Sequence, residues 1–349
     1  MATEHASAAP TVRAALHTAL ERLIAAADEG RPLDAFLSAA VATQLVADRL
    51  QGVGGELHRI QRLLLRATGG QAPPARPLAR AGLAPPPSAV GAARSAALRL
   101  LDTAQATAAA TRGRLGLAEY HVLLRDLANV LAEAVLCETV PDAEGPDAKG
   151  ILLSVAVTVD GLRSGIPPQA ARLLAGAALP APLDPDPDAL ELHPAHVMAL
   201  AERFARLHPD RERPLLVLGL RPFGAYLAPL AAAALGHLDY RHVVARTTRA
   251  GGPLLPEEPR LPESVRRVGG VVLLLGPPPA TGASYAAVAS RLVAAGFAPT
   301  RVVPVYASRE DDALPPALLR HHPCVVLPAS GWRRRAAVSA VEGSSAGEV

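Results

Sequence analysis

The sequence predicts an α/β protein, with an all-α N-terminal domain followed by a C-terminal domain built on a mainly parallel sheet. Three observations carry that prediction. Through the first half of the 349 residues, apolar side chains recur at intervals of three and four, the period of a helix face. After residue 195 the apolar residues gather instead into short, nearly continuous runs, as expected of parallel strands buried on both faces. Helical intervals separate two of those runs from the next, the alternation that builds a parallel sheet.

Taken in order, Val12, Leu16, Leu20, Leu23 and Ile24 form the first stripe; Leu37, Val41, Leu45 and Val46 the second; and Leu57, Ile60, Leu63 and Leu64 the third. Residues 69–91, rich in Pro, Gly and Ala, read as an extended connection. Helical spacing resumes from Ala92 and continues through Leu123, Leu124, Leu127, Val130, Leu131 and Val135. Residues 151–165 are ambiguous, with β-branched content that suits a strand and a length that suits a helix, and we read them as helix. The acidic, proline-rich 179–194 reads as a linker. The domain plan is therefore an α-helical 1–178, a linker at 179–194, an α/β domain at 195–335 and a flexible tail at 336–349. Strands are expected at 214–220, 241–247, 268–276, 300–307 and 322–329, with helices after the first and third.

Composition narrows the function classes. Half of the residues are hydrophobic and 3% aromatic, so the core is built from Ala, Leu and Val. The net charge of +3 rests on arginine, Lys149 being the single lysine. Nucleic-acid binding calls for a basic stripe with interleaved aromatics, and only the short run at 331–335 approaches one. Cys137 and Cys324 lack metal or redox spacing. No export signal or membrane-length apolar run is apparent, so the expected location is the cytoplasm. His193 with His196, and His321 with His322, lack a third ligand at a telling spacing, and no metal site is expected from them.

Two loops carry the chemistry. One follows the first strand and reads Arg221-Pro222-Phe223-Gly224; the other follows the third and runs from Gly276-Pro277 to Thr281-Gly282-Ala283-Ser284. Each puts small residues at the start of a helix, where backbone N–H groups and the positive dipole end favour an anion. Between them, residues 246–267 are polar and punctuated by Gly and Pro, as a mobile cover over a site would be.

In this order of units, residues 213–330 resemble the type I phosphoribosyltransferase family. The resemblance implies a sheet of that family's type. It implies that Thr281, Gly282, Ala283 and Ser284 wrap the 5'-phosphate of a phosphoribosyl group. Arg221 and Gly224 would border the pyrophosphate, and Arg246 or Arg249 would come in from the hood loop. Where the family carries two acidic residues that hold the ribose hydroxyls, this chain has Gly276 and Pro277; Glu257, Glu258 and Glu263 are the carboxylates that could substitute.

Two readings follow from the resemblance. If the protein is catalytic, Arg221 and Mg2+ would assist transfer of phosphoribose to a nitrogenous acceptor. Otherwise it is a non-catalytic sensor of a phosphorylated ribose or nucleotide, whose helical domain contacts a partner protein. A third possibility is a helical interaction protein whose α/β domain has lost its ligand.

Overall fold

The structure is a computed structural model that describes residues 11–67, 116–139, 148–164, 174, 192–255, 258–311 and 315–331, with side chains not described at 51–67, 149, 153, 156–157 and 161–164. The expected break at 69–91, the tail at 336–349 and most of the 179–194 linker lie outside the described residues.

The helical half begins with α1 (Val12–Asp28), where the Thr11 hydroxyl accepts from the Ala14 N–H at 3.2 Å and satisfies one of the helix's unpaired donors. Helix α2 (Pro32–Ala67) carries both the second and third stripes on one continuous rod. Over 35–47 it is buried on every side, the mark of a central helix. Alanines at 35, 39, 40 and 42 let its neighbours approach closely. Helix α3 (Leu117–Thr139) packs along it. Helix α4 (Ala148–Ser164) resolves the ambiguous segment. Its buried Ile151, Leu152, Val155 and Val159 fall on one helical face, packed on α1 and α3.

Helix α5 (Pro194–Leu207) leads into the sheet and starts with a reciprocal cap. His193 Nδ1 accepts from Ala195 N–H at 3.3 Å, and His196 Nδ1 accepts from His193 N–H at 3.2 Å. The two histidines thus occupy each other's helix end, as in a capping box.

The α/β half then runs β1 (Leu215–Leu220), α6 (Gly224–His237), β2 (Val243–Thr248), α7 (Leu261–Arg267), β3 (Val271–Leu275), α8 (Ala283–Ala294), β4 (Val302–Ala307) and β5 (Val325–Leu327). All five expected strands are present, every pairing is parallel, and the order is β2-β1-β3-β4-β5. The fold class is therefore α/β with a helical N-terminal part.

Alternate residues of each strand serve different faces. Leu215, Val217, Val271, Leu273, Val303 and Val305 join a core that is continuous with the helices of the N-terminal half. Leu216, Leu218, Val272, Leu274 and Tyr306 pack on Val265 of α7 and on Tyr285, Val288 and Leu292 of α8. One face of the sheet is thus closed by the helical half together with α6. No helix among the described residues is long and apolar enough to cross a membrane.

The chain leaves β1 toward β2 on one side and reaches β3 on the other. The carboxyl ends of β1 and β3 therefore flank a topological switch point, where open α/β sheets take ligands.

Candidate functional site

Gly219 of β1 stands level with Leu275 of β3 and Thr247 of β2, so the loops carrying Arg221 and Gly276 are neighbours at one end of the sheet. The first loop is closed backbone to backbone. A Cβ on Gly219 or on Gly224 would collide with the main chain of the other, so Gly224 serves loop closure before any ligand. The Arg221–Pro222 peptide is cis. The first N–H groups of α6 are already engaged, Ala225 on Pro222 O and Tyr226 on Phe223 O, both at 3.0 Å.

Arg221 points into the helical half. Its side chain is 2% exposed, and Nη1 donates to Asp48 Oδ1 of α2 at 2.7 Å. The same carboxylate, 5% exposed, takes Arg249 Nε on Oδ1 at 2.7 Å and Arg249 Nη2 on Oδ2. Two arginines from neighbouring strand ends thus close on one carboxylate contributed by α2. Arg249 is fixed from the other side as well, because Arg291 of α8 donates to the carbonyls of Arg249 and Ala250 at 3.1 and 2.8 Å.

Arg246 forms a second clasp. Its guanidinium grips Glu258 through Nε and Nη2, the latter at 2.9 Å, and Arg125 of α3 reaches the same carboxylate at 3.1 Å. Burial alone would raise the Glu258 carboxyl, but hydrogen bonding and charge from Arg246, then Arg125, outweigh it and hold it below the ordinary range. Both arginines expected from the hood therefore have carboxylate partners, and both clasps tie the sheet to the helices.

Among these groups lies His121 of α3. It is 3% exposed, and neither ring nitrogen has a hydrogen-bond partner among the described residues. Its pKa is pushed down to about 3, first by burial and then by the charges of Arg125, Arg221 and Arg246, with Glu258 opposing. The imidazole is neutral in the folded protein.

The second loop differs in character. Thr281, Ala283 and Ser284 are exposed. The Thr281 hydroxyl accepts from Ala283 N–H at 3.3 Å, so it is engaged with the first N–H of α8, whose N-cap is Gly282. Gly282 has φ +79°, and a Cβ there would meet Pro316 Cβ at 3.0 Å and Leu319 Cγ at 3.3 Å. Only glycine takes that backbone shape at no cost.

At the position of the absent acidic pair there is little room. A Cβ on Gly276 would stand 3.0 Å from Tyr285 Oη and 3.3 Å from Leu220 Cβ. That hydroxyl donates to Pro277 O at 3.2 Å, and the Tyr285 ring packs edge-on against Tyr306 at 5.7 Å. The candidate substitutes are engaged elsewhere. Glu258 is in the second clasp, Glu263 pairs with Arg267, and Glu257 lies outside the described residues.

Magnesium takes oxygen ligands, chiefly carboxylates and phosphates. Among the described residues no group of three or more His, Cys, Asp or Glu converges. Gly276 and Pro277 offer no carboxylate at the end of β3, so the described residues there supply no carboxylate donor set for magnesium.

Sequence reasoning found Arg221, Arg246 and Arg249 and missed Asp48, His121 and Arg125. The available signal was a polar pair one helical turn apart inside an apolar stripe: Gln44 with Asp48 in α2, and His121 with Arg125 in α3. No family model, curated protein or solved structure matches the chain.

Proposed function

We propose that this protein is a non-catalytic, cytoplasmic sensor of a phosphorylated ribose or nucleotide, built on a phosphoribosyltransferase-like α/β domain whose helical half reports occupancy to a partner protein. One observation carries the reading: the arginines beside the switch point, Arg221 and Arg249, are bonded to Asp48 of α2. Any anion that engages those arginines acts directly on a helix of the N-terminal half.

The family reading rests on the sequence resemblance at residues 213–330; the parallel order β2-β1-β3-β4-β5 is common to many doubly wound α/β sheets, and the Thr281-Gly282-Ala283-Ser284 turn follows β3 as that reading requires. Transfer chemistry is disfavoured by what stands at 276 and 277. Displacing pyrophosphate with a nitrogen nucleophile builds positive charge on the sugar, and no carboxylate at those positions meets it. Hydrogen bonds to charged groups contribute about 1.5–3 kcal/mol each, so lacking two removes roughly 3–6 kcal/mol. That is on the order of two to four powers of ten in rate or affinity.

The test is a thermal shift and calorimetric titration with ribose 5-phosphate and with phosphoribosyl pyrophosphate, with and without Mg2+, while pyrophosphate release is followed in the presence of purine and pyrimidine bases. The expected result is stabilisation by a phosphorylated ribose without pyrophosphate release. Turnover with any base would make the protein a transferase. Absence of any shift would remove the ligand-binding reading altogether.

A further inference from the structure

We propose that Asp48 is a built-in competitor for the anion that Arg221 and Arg249 would bind, so that ligand binding and the seating of α2 exclude one another. The inference rests on the sensor reading above and specifies how that site is regulated. Its basis is geometric. Arg249 presents two nitrogens to the two oxygens of Asp48, and Arg221 adds a third contact at 2.7 Å. This fork-on-carboxylate arrangement is the one guanidinium groups also use for phosphate oxygens. Asp48 is 5% and Arg221 2% exposed, while Arg249 is 28% exposed, so an arriving anion meets Arg249 first, and a phosphoryl group cannot take the three nitrogens that hold the carboxylate while the carboxylate remains. It must displace Asp48.

The competition has a direction. A carboxylate brings one negative charge to two guanidiniums, whereas a phosphate monoester or diphosphate brings two or more, so a polyanion is the ligand class able to win the exchange. Displacement leaves the Asp48 carboxylate, 5% exposed, without the two guanidiniums that hold it. That unpaired charge favours release of α2 around 44–50, because an uncompensated charge in a closed setting is strongly disfavoured. The second clasp, Arg246 and Arg125 on Glu258, joins α3 to β2 and the loop after it, so it holds α3 to the sheet while α2 gives way. The apparent affinity for the anion is reduced by the fraction of molecules in which Asp48 is still seated.

The experiment uses inorganic pyrophosphate on the full chain. In Asp48→Asn the side chain keeps its shape and loses its charge, and the variant should bind pyrophosphate at least about tenfold more tightly than the native protein, the size of effect that releasing a mostly occupied competitor gives. Hydrogen exchange on the native protein provides an independent measurement that needs no variant to fold. Saturating pyrophosphate should speed exchange of amides 44–50 and slow those of 221–227. Arg249→Gln should lose pyrophosphate binding in either background.

Equal or weaker binding by Asp48→Asn overturns the competition if the native protein binds pyrophosphate. So does native pyrophosphate binding that leaves α2 exchange unchanged. If pyrophosphate and ribose 5-phosphate bind neither protein, the sensor reading itself has failed. Ribose 5-phosphate binding that is insensitive to Asp48 would leave the sensor standing and remove the competitor.

Discussion

His121 places an uncharged imidazole among Arg125, Arg221 and Arg246, and that choice has a measurable signature. In the unfolded chain the ring takes a proton as pH falls through about 6.5, whereas in the folded protein it stays neutral down to about 3. The unfolded state therefore binds more protons throughout that window, so stability is complete above it and declines as pH drops. The slope is at most about 1.4 kcal/mol per pH step for this one group. His193, His208 and His237, also lowered by burial, act in the same direction, and Glu258 joins them in more acid solution. Urea melts at about pH 5.5 and pH 7 should show native stability falling by about 1 kcal/mol or more, and His121→Leu should remove much of that difference. An unchanged difference in the variant would mean that His121 is not the group being protonated. Asp48 supplies a second test at this scale. Asp48→Ala leaves the buried Arg221 guanidinium and the partly exposed Arg249 without their carboxylate and should cost about 3–5 kcal/mol. Glu263→Ala, at an exposed pair with Arg267, should change stability by less than about 0.5 kcal/mol. Equal effects in denaturation would contradict the burial described. The arginines were legible in the sequence because they adjoin strand ends, but their partner was not. Asp48 lies 173 residues from Arg221 and 201 from Arg249, and no local pattern encodes a contact at that range.

Among the elements, the strands were the most legible, because burial on both faces writes itself as an unbroken apolar run. Residues 148–164 were the least so. Their β-branched content matched a strand until the packing of Ile151, Leu152, Val155 and Val159 on α1 and α3 fixed the helix. Loop chemistry was legible only in part. The sequence identified the turn into α8 and the hydroxyl that such a turn needs, but not that Tyr285 fills the space beside Gly276. This alters what a restored acidic residue would do. Gly276→Asp brings a side chain within 3.0 Å of Tyr285 Oη and buries a carboxylate, so it should destabilise the protein by about 2 kcal/mol or more and not simply supply a ribose ligand. Pairing it with Tyr285→Ala should recover part of the steric loss, measurable as a coupling in a double-mutant cycle. Additive losses would mean that Tyr285 is not the obstacle.

For the whole molecule, the governing fact is that the helices and one face of the sheet contribute to a single core running from Val12 to Leu327. Sequence punctuation near 179–194 predicts two separable domains, yet cores shared in this way melt together. Calorimetry should therefore give one transition, with the van't Hoff and calorimetric enthalpies in agreement. Two resolved transitions would restore independent domains.

The separation of Asp48 from its arginines also bears on how the chain is made. Synthesis proceeds at roughly 5–20 residues per second, so the 173 residues between Asp48 and Arg221 represent a delay on the order of ten to thirty seconds. Throughout that interval the newly made α2 has neither its clasp nor the sheet face that later covers the helices. A nascent chain stalled before β1 presents an apolar helical surface with no mate, the kind of species that chaperones hold. Completion of the C-terminal strands is then the event that commits the N-terminal helices to their final packing.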